Sequence, residues 1–216
     1  MKEGDTMPSV TRIQYALPNG QYLDHLLTDD LILRYVKDDY EYSENCWEFY
    51  DTADWLLTRK GYSLYVSRDQ ELHTVRLARG RVASPEELPG LFHGNHWIAP
   101  YTGMDYAVNA LMERGAPEEF RELTVGQPLQ RNFFILYKRK STTLYLPERT
   151  RIDMAFDSGE IVAGEKRQPT YDLSMELLYG EEQQLVNYCQ QIWERFDLPP
   201  VLLSREQRAL KLMRGE

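Results

Sequence analysis

Apolar and polar residues alternate along residues 151–157 and again along 172–177. In the first run Ile152, Met154 and Phe156 are interleaved with Asp153, Ala155 and Asp157. In the second, Leu173, Met175 and Leu177 are interleaved with Asp172, Ser174 and Glu176. A period of two belongs to a half-buried strand, so each run predicts a strand with one apolar face and one face carrying carboxylates. Asp157-Ser158-Gly159 predicts a turn after the first run, with Lys166 and Arg167 in the loop that follows. The same period recurs at 10–17, 46–50, 62–68, 72–78, 131–138 and 142–146, and the last two read as a hairpin turning at the solvated Lys138-Arg139-Lys140-Ser141. Residues 84–126 read instead as helix- and turn-rich. Ser84 and Pro85 open a helical run as N-cap and first position, and residues 104–115 space Tyr106, Ala107, Ala110 and Leu111 helically before Gly115. Residues 21–32 predict a short helix with Leu23, Leu26 and Leu27 on one face. Near the end, Leu185, Cys189, Ile192, Trp193 and Phe196 form one helical stripe. Ser204 with Gln207 is a capping box for a last helix.

Eight period-two segments with flanking helices predict a mainly β (α+β) protein, an antiparallel eight-stranded barrel or tunnel whose inward side chains line a narrow interior. Residues 1–9 read as a flexible tail and 10–216 as a single domain, since 216 residues that are 42% hydrophobic suffice for one core. The 25 Lys and Arg against 34 Asp and Glu give a net charge of −9. That balance argues against a broad nucleic-acid or anionic-membrane footprint while leaving room for a local basic pocket. No apolar leader or membrane-length run is visible, so the reading is a cytoplasmic protein with no membrane or nucleic-acid partner. Cys46 and Cys189 lack any zinc spacing and read as core thiols in a reducing compartment. His93 and His96 are three apart, but Gly94 and Asn95 between them predict a loop rather than a helical metal pair.

Several motifs resemble the CYTH domain, the fold of the triphosphate tunnel metalloenzymes, and among these the bacterial inorganic triphosphatases. They are FYDTADWLL at 49–57, Thr74-Val75-Arg76, GEIVAGE at 159–165, ELLYG at 176–180 and the basic pair Arg205 and Arg208 after Ser204. The resemblance covers roughly residues 49–80 and 129–212. It implies a small anionic phosphorylated ligand, triphosphate or a relative, gripped by inward arginines, and Mg²⁺ or Mn²⁺ held by carboxylates to activate water. Matched residue by residue, it implies Asp157, Asp172 and Glu176 as metal ligands, the last two also catalytic, and Arg76, Arg131, Arg205 and Arg208 as substrate-binding. These acids are expected to share one face with Arg76 and Arg131. The chain departs from the pattern in three strands. Where the family's first strand carries Glu-x-Glu-x-Lys, neither Thr11, Ile13 and Tyr15 nor Arg12, Gln14 and Ala16 supplies a carboxylate. Its Leu-Arg-x-Arg becomes Leu64-Tyr65-Val66-Ser67, and Ser174 replaces the middle glutamate of three.

Three functions follow from this reading. One is a metal-dependent hydrolase of inorganic triphosphate or a related phosphoanhydride. Another is a tunnel that holds a phosphorylated anion without cleaving it, and a third is a partner-binding domain whose tunnel is packed with Tyr and Phe. Loss of metal ligands lowers metal affinity, so anion binding is expected to outlast turnover.

Overall fold

The computed structural model describes residues 9–68, 72–82 and 88–216, with only the backbone of Arg81 and Val82. The strands are β1 (Ser9–Ala16), β2 (Glu41–Asp51), β3 (Tyr62–Arg68), β4 (His73–Val82), β5 (Leu91–Pro100), β6 (Gln130–Tyr145), β7 (Arg151–Ala163) and β8 (Lys166–Tyr179). They close into one antiparallel barrel in the order β1-β5-β4-β3-β2-β6-β7-β8, with β8 hydrogen-bonded back to β1. The expected barrel and strand number are therefore found, but three segments differ from the sequence reading.

The hairpin expected at 131–146 is a single strand of 16 residues. Nothing between Phe133 and Tyr145 breaks it, since the stretch contains no Gly, Pro, Asn or Asp. Arg139 is a strand residue opposite Asp157, not a turn residue. Residues 91–100, read as part of a helix- and turn-rich region, form β5. Gly94 lies in its interior because Gly94 and its partner Gly80 leave room for the Phe92 ring; a Cβ on Gly80 would lie 2.3 Å from that ring. The helix start expected at Ser84 and Pro85 lies outside the described residues, as do residues 1–8 of the expected tail. Finally, β7 runs straight through Asp157-Ser158-Gly159 to Ala163, and the turn falls at Gly164, whose φ is +63°. Lys166 and Arg167 accordingly open β8 instead of lying in a loop.

Helices cover the barrel on two sides. The first group is α1 (Tyr22–Leu27), α2 (Asp30–Leu33) and α6 (Glu182–Phe196). Its Leu26, Ile32, Leu185 and Ile192 pack in one core with Ile13, Ile152, Met154, Leu173 and Met175, the apolar face of the alternating strands. The second group is α3 (Leu56–Arg59), α4 (Met104–Glu113) and α5 (Glu118–Thr124). Here Leu57, Leu111 and Phe120 meet Leu64, Val66, Val75, Leu77 and Trp97. Because these residues face outward, their alternates face the lumen. The final helix α7 (Arg205–Arg214) is opened by the Ser204/Gln207 capping box, as expected. Its Ala209 is buried against an aromatic cluster of Trp47, Phe49, Tyr65, Phe133 and Tyr137 inside the barrel, so α7 closes one end of it. No helix among the described residues is long and apolar enough to cross a membrane.

Gly159 sits where β6 leaves no room for a side chain on β7: a Cβ there would fall 1.9 Å from the Leu136 carbonyl oxygen and 2.6 Å from Tyr137 Cα. Relief requires the two strands to part, and overpacking of this kind costs about 1–3 kcal/mol. Gly159→Ala should lower the stability measured by chemical denaturation by that amount, and an unchanged midpoint would contradict the tight approach.

Candidate site in the barrel lumen

Register sets the site. On the inward face Asp157 of β7 lies opposite Asp172 of β8, and Asp153 opposite Glu176. Glu176 is paired on its other side with Arg12 of β1, and Ser174 with Gln14. Asp157 and Asp172 are only 4% and 2% exposed. Two carboxylates so deeply buried side by side need compensating charge, since an unpaired buried ion costs several kcal/mol. Three arginines supply it.

Arg139 grips Asp157 with two parallel bonds, its Nε donating to Oδ1 at 2.7 Å and its Nη2 to Oδ2 at 2.8 Å. Arg205 from α7 adds a third donor to Asp157 Oδ2 at 3.1 Å. Arg208, one helical turn later, forks onto Asp172 with contacts of 3.1 and 2.8 Å, while Thr170 donates to the same carboxylate at 3.1 Å. The fork geometry of guanidinium and carboxylate makes each of these a strong, oriented contact. Burial opposes the charge on Arg139, but Asp157 outweighs burial and the guanidinium is held above its usual range. The Arg205 guanidinium also lies 4.5 Å above the Trp47 ring centre, a favourable cation–π placement.

Of the remaining expected residues, Arg76 and Glu176 share the inward face with these acids and Arg131 does not. Arg76 is on the inward face of β4, where its Nε donates to Thr74 Oγ1 at 3.2 Å. Arg131 is not brought to the others. The β2–β6 register shifts at Phe49/Tyr50, which turns Arg131 to the outer face; there it contacts Glu48 at 2.8 Å, as does Arg68. Burial alone would raise the Glu48 carboxyl, but the two arginines outweigh it and hold it below the usual range. Glu176 is half-buried beside Asp153. Burial, with Glu176 and Asp157 nearby, keeps the Asp153 carboxyl above the usual range despite Arg139.

Among the described residues, Arg12, Gln14, His96, Arg139 and Asp153 face inward without a site role assigned from the sequence. Arg139 could have been found by carrying the period of Phe133, Ile135 and Tyr137 one step further. Arg12 and Gln14 occupy the strand positions from which carboxylates were missing. Burial pushes the His96 imidazole down to about 4, with Arg12 and Arg76 adding to the shift, so it is neutral at physiological pH. Arg12, Gln14 and His96 open onto a cavity of about 350 Å³ beside the start of α7.

A divalent cation does not fit this donor set. Every oxygen of Asp157 and Asp172 already accepts a hydrogen bond from a guanidinium, and the arginines would repel a metal ion. Among the described residues no group of three or more His, Cys, Asp or Glu side chains is arranged to hold one.

No family model matches the chain. It is 28% identical over 145 residues to an inorganic triphosphatase of Haemophilus influenzae, which is 66% of this chain but only 38% of that enzyme's length. Among solved structures it resembles the protein HpAC1 from Hippeastrum, described as having a dominant triphosphatase activity, with a TM-score of 0.56, 14% identity and 96% coverage of both chains. PH1819 of Pyrococcus horikoshii follows the same course with a TM-score of 0.51 and 10% identity, covering 94% of this chain and 98% of that one. The Mimivirus capping enzyme triphosphatase matches at 0.50 and 10%, covering 89% and 90%. The fold is that of the CYTH superfamily. The chain carries Arg12 and Gln14 where the resemblance expects first-strand acids, and arginines hold the acids of its last two strands.

Two consequences can be measured. Arg208→Ala leaves Asp172 buried without its partner, which should cost about 3–5 kcal/mol in chemical denaturation. Adding Asp172→Asn should recover part of that loss; no recovery would mean that Arg208 acts by packing alone. The second concerns pH. His96 takes up its proton near 6.5 when unfolded and near 4 when folded, so between these values the unfolded chain binds more protons. The stability that keeps His96 neutral is fully present above pH 6.5 and is lost as pH falls towards 4, on the order of 3 kcal/mol. His96→Asn should flatten the stability curve in that window.

Proposed function

We propose that this chain holds a phosphorylated anion at the mouth of its CYTH tunnel and does not hydrolyse it by divalent-metal chemistry. One observation carries the reading: Arg139, Arg205 and Arg208 already occupy the carboxylates Asp157 and Asp172. In a metal-dependent mechanism those acids would hold the cation that neutralises charge developing in the transition state. Held instead by guanidinium groups, they fix the lumen's shape and orient the α7 arginines. Without an interaction that strengthens in the transition state, binding is not converted into rate.

The anion side of the reading rests on Arg12. Its Nε is buried without a hydrogen-bond partner, as is Gln14 Nε2, and both line the cavity. Burial, followed by repulsion from Arg205 and only partly offset by Glu176 across the β1–β8 pairing, lowers the affinity of Arg12 for its proton, and an arriving anion relieves both costs. The kinship with an inorganic triphosphatase supports phosphate as the anion's chemistry. Arg205 and Arg208 are proposed to act first on the carboxylates and only indirectly on the ligand; Arg76 lines the lumen, and Arg131 takes no part.

Purified protein given inorganic triphosphate with Mg²⁺ or Mn²⁺ should release no phosphate above background. Calorimetry in metal-free buffer should detect binding of at least one of inorganic phosphate, triphosphate or phenyl phosphate. Robust turnover that Asp172→Asn abolishes would overturn the non-catalytic half of the reading, and silence towards all three probes would overturn the anion half.

A further inference from the structure

The cavity that opens onto Arg12 has two unlike linings. Arg12, Gln14 and His96 present a guanidinium, an amide and a neutral imidazole; the rings are Phe92, paired with Arg12 across β1 and β5, and Phe49 and Tyr65 of β2 and β3. The Arg12 guanidinium lies 5.2 Å from the Phe92 ring centre, where the polar and aromatic linings meet as register partners. The volume of about 350 Å³ lies at the small end of the range of organic-ligand pockets. Charge limits the occupant further. Arg139, Arg205 and Arg208 are committed to Asp157 and Asp172, and Arg12 forms no ion pair among the described residues. A single uncommitted guanidinium matches one phosphate group, which carries roughly 1.5 to 2 negative charges at neutral pH, and leaves a chain of three phosphates largely uncompensated. The ring-lined wall would be wasted on a purely inorganic ion, because aromatic faces reward an apolar body with dispersion and hydrophobic contact.

We infer that the cavity takes a phosphate monoester with a flat apolar body, its phosphate on Arg12 and Gln14 and its body between the rings of Phe92 and Phe49. This assignment rests on the anion-binding reading above and narrows its ligand class. The neutral His96 serves as a hydrogen-bond partner beside the phosphate rather than as a second cation.

The test is calorimetry on the full chain in metal-free buffer with inorganic phosphate, inorganic triphosphate, phenyl phosphate and benzoate as separate probes. Phenyl phosphate is expected to bind at least about tenfold more tightly than each of the other three, a margin that one extra set of ring contacts or one better-matched anion can supply. Arg12→Gln should reduce phenyl phosphate affinity by about tenfold or more, as loss of a charge-assisted contact does. Phe92→Leu should weaken phenyl phosphate several-fold while leaving inorganic phosphate unchanged. This second variant keeps the test decisive if Arg12→Gln fails to fold by circular dichroism. Triphosphate binding more tightly than phenyl phosphate would overturn the monoester assignment and leave the wider anion reading standing. Benzoate binding as well as phenyl phosphate would also overturn it, by pointing to carboxylates. No binding by any phosphorylated probe would overturn both.

Discussion

Two carboxylates buried side by side in a barrel cannot remain uncompensated. Asp157 and Asp172 face each other across β7 and β8 with almost no access to water. The cost of desolvating them must be met by nearby positive charge. Arg139 meets it from the neighbouring strand, while Arg205 and Arg208 meet it from a helix that has to sit in the barrel's mouth to reach. The position of α7 is thus tied to the acids as firmly as to the apolar contact at Ala209. Removing the charges from either partner would leave the other stranded.

This compensation also explains the aromatic filling. With the acids neutralised within the wall, the lumen no longer needs to be wet, and rings can occupy it. Phe49 stacks on Phe133 at 4.4 Å and on Tyr65 at 5.2 Å between ring centres, and Trp47 lies 5.0 Å from Tyr65. Tyr65 and Ser67 stand where the resemblance expects arginines, and one of the two has become part of this stack. Arg12 Nε and Gln14 Nε2 are buried without hydrogen-bond partners beside the cavity, and they mark a part of the tunnel left unfilled.

The barrel was legible because its strands alternate cleanly. Ile152, Met154 and Phe156 against Asp153, Ala155 and Asp157 assign two faces without any tertiary information. What could not be read was which polar residues face inward. Arg139 lies in a basic triplet that has the composition of a solvent turn, and only its register against Asp157 reveals its place. Arg131 shares the local period of Phe133, yet a register shift against β2 sends it outside. A shift of one residue reverses the face of a strand residue, and nothing in the local sequence announces it. β5 was missed for a related reason. Gly94 reads as a breaker in isolation, and the ring that exploits the missing side chain belongs to Phe92 two residues away.

The barrel's closing seam joins β1 to β8, elements near opposite ends of the chain. Every other neighbouring pair except β1–β5 and β2–β6 is consecutive in sequence and can form as a local hairpin or meander. The seam joins residues more than 150 positions apart, and closing so long a loop costs entropy before it gains contacts. β8 then flanks Arg12 and Gln14 through Glu176 and Ser174, so ring closure braces the strand that carries both cavity residues. The same pairing covers the free edges of β1 and β8 at once, so the barrel presents, among the described residues, no strand edge on which another chain could pair.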